Sequence, residues 1–123
     1  MSRVEVVIHG VFPTLNDMIG DARKHWAISA KHKKESTELA RLQCLSMRAI
    51  VRPCRVGFTW YHSSRCDPDN ISSGGRKSVL DGMVASGKLK DDTNKWVVGF
   101  DGEDFIKVKK GQEKVVVTIT EIV

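Results

Sequence analysis

Between Gly20 and Pro53 no glycine or proline interrupts the chain. From about Trp26 to Ile50 this stretch is rich in Ala, Lys, Glu, Leu and Arg, and Leu39, Leu42, Leu45 and Ala49 recur at helical spacing. Such a run reads as one long helix, which Pro53 closes because proline lacks the N–H that a continuing helix needs. Its apolar face must be covered, as core, as interface or as both.

Strand-like segments surround it. Val4-Glu5-Val6-Val7-Ile8 is apolar and β-branched and predicts an opening strand, after which Pro13, Asn16 and Gly20 predict a loop. Residues 55–62 alternate around Val56, Phe58 and Trp60, the pattern of a second strand. A polar loop over 63–70 and the tract Ser72-Ser73-Gly74-Gly75 come next. A shorter helix is expected from about Gly75 to Ser86, with Val79, Leu80, Met83 and Val84 on one face and Gly87 as its stop. Residues 96–100 and 114–122 predict further strands. The expectation is one α+β domain over residues 1–123, a small mixed sheet packed with one long and one shorter helix.

At 123 residues, 41% hydrophobic and 28% charged, the chain can bury about 65% of its unfolded surface and needs no staple. Cys44, Cys54 and Cys66 form no CxxC pair, and His9, His25, His32 and His62 fall at no zinc-site spacing. Reduced thiols and a cytoplasmic location are the plain expectation, since the Met-Ser-Arg-Val-Glu start lacks an apolar signal core. Trp26, Trp60 and Trp96 are expected as core or interface anchors, and Cys66 as a packing residue rather than a nucleophile.

The net charge of +5 is unevenly spread. Residues 21–55 hold nine bases and three acids, a balance of +6, so the rest of the chain sums to −1. A concentrated positive stretch attracts polyanions, and a solvated helix face would carry the same composition.

Carboxylates concentrate at Asp67 and Asp69, at Asp81, and at Asp91-Asp92. If the Asp67-Pro68-Asp69-Asn70 backbone is extended, its two acids point to one side and repel. Mg²⁺ relieves such repulsion, because it takes one or two carboxylates with waters and phosphate oxygens. A calcium loop does not fit, since Ser72 and Ser78 stand where its glycine and glutamate belong. An Asx-type turn capping the next helix accounts for the same tetrapeptide. Lys77 and Asp81, four apart, share a helix face.

Taken together, these elements resemble the RusA family of Holliday junction resolvases, especially its phage-borne branch. The shared string is Asp67-Pro68-Asp69-Asn70-Ile71, then Lys77, Leu80-Asp81-Gly82-Met83, Gly87-Lys88-Leu89-Lys90-Asp91-Asp92 and Trp96. Pro13-Thr14-Leu15-Asn16, Arg23, Lys33-Lys34 and the closing Thr118-Ile119-Thr120-Glu121 extend the likeness over nearly the whole chain. The resemblance implies a Mg²⁺-dependent homodimeric endonuclease making paired cuts across four-way DNA junctions, in recombination, repair or phage DNA processing. It implies that Asp67, Asp69 and Asp92 bind the metal, with Asp91 as a spare, and that Lys77 assists catalysis. One departure is the length between Asp69 and Lys77, greater than in the short cellular members by Ser72-Ser73-Gly74-Gly75.

On this expectation Asp81 positions Lys77, and Arg23, Lys24, Lys31, Lys33, Lys34, Arg65 and Arg76 contact phosphates. Other readings of the residues are a non-catalytic DNA- or RNA-binding module whose acids form turns, a nuclease for other branched or single-stranded DNA, and an accessory phage protein without activity.

Overall fold

A computed structural model describes residues 2–14, 17 and 26–122. Among the described residues six elements follow one another: β1 (Arg3–His9), α1 (Trp26–Cys44), β2 (Cys54–His62), α2 (Pro68–Ala85), β3 (Val97–Lys107) and β4 (Lys114–Glu121). The fold is α+β. Its four strands form one mixed sheet in the order β1-β4-β2-β3, antiparallel except for the parallel β2–β3 pair.

Strict alternation decides which sheet face is covered. Val4, Val6 and Ile8 of β1, Val115, Val117 and Ile119 of β4, and Val56, Phe58 and Trp60 of β2 share one core with Ile71, Val79, Leu80 and Met83 of α2. The phenyl of Phe58 stacks on the Trp60 indole with ring centres 5.3 Å apart. Trp60 is thus the core anchor that the sequence suggests, and Trp96 is half-buried with the Lys90 ammonium 5.6 Å from its ring centre.

The structure corrects several expectations. α1 stops at Cys44, six residues short of Ile50, and the chain turns so that Met47 and Ile50 enter the core. There the Ile50 N–H donates to the Lys88 carbonyl at 2.7 Å. The buried seam of α1 contains Ala40 and Cys44, whereas Leu42 and Leu45 are exposed. Small residues win because α1 lies close on α2: a Cβ at Gly82 would stand 2.3 Å from that of Ala40.

α2 begins seven residues earlier than expected, with Asp67 as its N-cap and Pro68 opening the first turn. The Ser-Ser-Gly-Gly tract is therefore helical, although its propensity is poor. Close approach is what those glycines provide. β3 runs on to Lys107 through Asp101-Gly102-Glu103-Asp104, because an edge strand tolerates polar, exposed residues so long as β2 supplies its hydrogen bonds.

Among the described residues Glu121 is the buried acid. It accepts from the Arg48 guanidinium at 2.6 Å and the Val51 N–H at 2.9 Å, tying the end of β4 to the segment after α1. The Arg48 hydrogen bond above all, then that of Val51, holds its carboxyl below the ordinary 4.5. A lowered folded-state value means stability that is present above the unfolded value and lost as pH falls through the folded one. Glu121→Ala should cost about 2 kcal/mol at neutral pH, read by urea unfolding, and the deficit should shrink on acidification below the ordinary carboxylate range. A deficit that does not change with pH would assign the loss to packing alone.

Candidate functional site

The site is built on α2 and the segment that follows it. At the helix start Asp67 is extended (φ −65, ψ 153) and makes no side-chain capping bond. Asp69 lies in the first helical turn, where a carboxylate meets the positive end of the helix dipole. Both side chains are exposed. The continuous extended backbone expected over Asp67-Pro68-Asp69 does not occur, because Asp67 is extended as the cap while Pro68 and Asp69 already belong to the helix.

Two turns on, Lys77 projects from α2. At the helix end Ser86 and Gly87 donate to the Gly82 and Val84 carbonyls, and Gly87 takes the left-handed φ of +78 that reverses the chain. Leu89 is then pinned in the core, 1% exposed, and the return brings Asp92 back to the helix. The Lys77 ammonium lies 3.0 Å from Asp81 Oδ1 and 3.4 Å from Asp92 Oδ2. The hydrogen bond to Asp81 above all, opposed by burial and supported by both carboxylate charges, raises the Lys77 pKa. Lys77 is accordingly a fixed cation at any physiological pH, and not a general base. Asp91 is exposed and its carboxylate accepts from the Asp92 N–H at 2.7 Å, steadying that turn.

The other expected residues are scattered. Arg23 and Lys24 lie outside the described residues. Lys31 is exposed and 3.9 Å from Glu35, and Lys33, Lys34 and Arg65 are exposed. Arg76 points away from Lys77: its guanidinium donates to Glu103 at 2.6 Å and stacks 4.1 Å from the Phe100 ring centre. Glu103, missed in the sequence, also accepts from the Trp60 indole N–H at 2.6 Å and the Ser72 hydroxyl at 2.9 Å. That carboxylate clamps α2 to β2 and β3 and so fixes which face of the helix carries Lys77. Its only sequence signal is an acid at a core-facing position of a strand, which requires knowing β3.

The donors suit a hard cation in kind. Asp67 and Asp69 offer exposed carboxylate oxygens, and Mg²⁺ needs only one or two carboxylates beside water and phosphate. Among the described residues no group of three or more His, Cys, Asp or Glu side chains stands at metal-holding spacing. Asp92 is brought to Lys77 and Asp81.

The thiols divide by burial. Cys44 and Cys54 are fully buried and desolvation pushes both up to about 11, while Cys66, packed partly against the core, retains some exposure. A thiol reagent at pH 8 should modify Cys66 alone in the folded chain and all three in denaturant; rapid labelling of Cys44 or Cys54 would contradict this packing.

Compared with known proteins, the chain matches no family model, and no curated protein matches it significantly. Among the described residues no helix is long and apolar enough to cross a membrane.

Proposed function

We propose that the chain is a metal-dependent endodeoxyribonuclease of the RusA type, acting as a homodimer on four-way DNA junctions. The observation that carries the reading is the meeting of Lys77 with Asp92, fifteen positions apart in the chain, at 3.4 Å. Two elements of the shared string that are remote in sequence thereby become neighbours. In support, Asp67 at the cap of α2 and Asp69 in its first turn stand exposed, with no capping bond consuming Asp67.

In this reading Asp67 and Asp69 would hold Mg²⁺, with Asp92 the third acid that the resemblance implies; when bound, the ion supplies an activated water and offsets charge on the scissile phosphate. The chain's own part is electrostatic. Lys77, kept protonated by Asp81, presents a point charge to the phosphate as its negative charge grows in the transition state. Asp81 orients that ammonium, and the Asp91–Asp92 turn sets where Asp92 stands.

A second reading, a nucleic-acid-binding module without catalysis, is favoured by the lack of a three-acid cluster among the described residues. One experiment separates them. Labelled four-way junction and linear duplex of the same sequences are incubated with the protein, with and without Mg²⁺, beside Asp69→Asn. Symmetric, Mg²⁺-dependent nicks confined to the junction and absent in the variant support the nuclease. Tight junction binding without cleavage under any divalent metal supports the module.

A further inference from the structure

Four of the nine bases that composition assigns to residues 21–55 are engaged in ion pairs of the fold. Lys31 faces Glu35, Arg41 is bonded to Glu38, Arg48 to Glu121 and Arg55 to Asp101. A different basic segment is tied to the loop that leads to the exposed acids. The sheet order β1-β4-β2-β3 obliges the connection from β3 to β4 to cross the end of β2, where the chain departs through Ser63 toward Asp67. Residues 107–114 of this crossing contain four lysines and one acid.

Both ends of the crossing are fastened to that departing loop. The Lys107 ammonium donates to the Ser63 and Ser64 carbonyls at 2.8 and 2.5 Å, and the Val108 N–H donates to the His62 carbonyl at 2.8 Å. At the far end the Ser63 hydroxyl donates to Glu113 at 2.6 Å, and the Gly111 N–H donates to the same carboxylate at 2.7 Å. Gly111, at φ +96, makes the turn. The single acid of the segment is therefore held inward. Lys109 and Lys110 are exposed and in no salt bridge among the described residues, although the Lys110 charge acts on Glu113. Arg65, also exposed, lies on the loop to which the crossing is tied.

We infer that the β3–β4 crossing, through Lys109 and Lys110 together with Arg65, is a phosphate-backbone contact surface that seats a nucleic acid strand next to Asp67 and Asp69. Phosphates approaching two uncompensated carboxylates are repelled, and cations registered to the acid loop offset that repulsion where it arises. Because the fastening is by hydrogen bonds at both ends, the backbone that carries the lysines is held to the loop that leads to the acids. The inference rests on the proposed function for DNA as the polyanion, and it extends the contact surface beyond the α1 bases read from the sequence.

The test is binding of fluorescent four-way junction DNA over a series of salt concentrations without divalent metal. Lys109→Gln/Lys110→Gln is compared with Lys33→Gln/Lys34→Gln and with wild type, and thermal melts establish that each chain is folded. The crossing pair should lose about tenfold in affinity and lower the salt slope by about two, the release of two phosphate contacts. Lys109→Glu/Lys110→Glu should lose more. Wild-type affinity and slope in the crossing variants, with or without a loss in the α1 pair, would overturn the inference. Failure of the nuclease reading is seen separately, as wild-type protein that binds the junction and cuts it under no metal.

Discussion

Asp69→Asn should bind a four-way junction within about threefold of wild type and cleave it about a thousandfold more slowly. The substitution keeps the shape of the side chain and removes its charge. Asp69 is exposed in the first turn of α2 and buries nothing, so its stability effect is confined to the helix dipole, about 0.5 kcal/mol. A loss of cleavage on the scale of about 4 kcal/mol of barrier cannot come from so small a change in folding. Lys77→Met gives the complementary result. It removes the cation between Asp81 and Asp92, and cleavage should fall while Lys77→Arg, which retains a charge in a different shape, restores part of it. An Asp69→Asn chain that cuts at the wild-type rate with Mg²⁺ would remove Asp69 from the site and with it the main ground for a nuclease.

How far the sequence discloses this arrangement differs from element to element. β1 and β4 are legible because alternation is strict and one face of each is buried, which leaves the pattern unambiguous. The pairing of Lys77 with Asp81 is legible because spacing of four on a helix is local geometry. Its meeting with Asp92 depends on the stop at Gly87 and the burial of Leu89, and only the first leaves a clear sequence mark. The start of α2 is hidden by two serines and two glycines whose helical state is imposed from outside, by the chain packed against them. The end of β3 is hidden for the opposite reason, since Asp101 to Asp104 face outward or bind inward partners that lie far away in the chain. Lys109 and Lys110 are hidden by arithmetic: outside residues 21–55 the charges sum to −1, and the sum conceals a local excess that the crossing gathers. Long-range placement, more than residue type, is what the sequence withholds.

Gly74→Ala should destabilise the chain by about 3 kcal/mol, against the sign that helix propensity alone predicts. In an exposed helix interior this change adds about 1 kcal/mol of stability, because glycine loses the most backbone entropy on folding. Here an added Cβ would stand 2.1 Å from the Pro13 carbonyl oxygen and within 2.7 to 2.9 Å of Thr14 backbone atoms. Backbone on both sides of the contact leaves no flexible side chain to yield, so α2 must shift as a body. Such a shift would also disturb Gly75, whose own Cβ position lies 2.4 Å from the Trp60 ring, and the Glu103 bonds to Ser72 and Arg76. Gly102→Ala is the control: nothing lies within 4 Å of its Cβ position, and its stability should stay within about 0.5 kcal/mol of wild type. Urea unfolding of the two variants reads the difference directly. If Gly74→Ala proves as stable as wild type, α2 does not pack on the 13–14 backbone, and the helical start at Pro68 that separates Asp69 from Lys77 by two turns loses its support. If it unfolds as expected, the Ser-Ser-Gly-Gly tract is a packing device that joins Asp69 and Lys77 on one continuous helix.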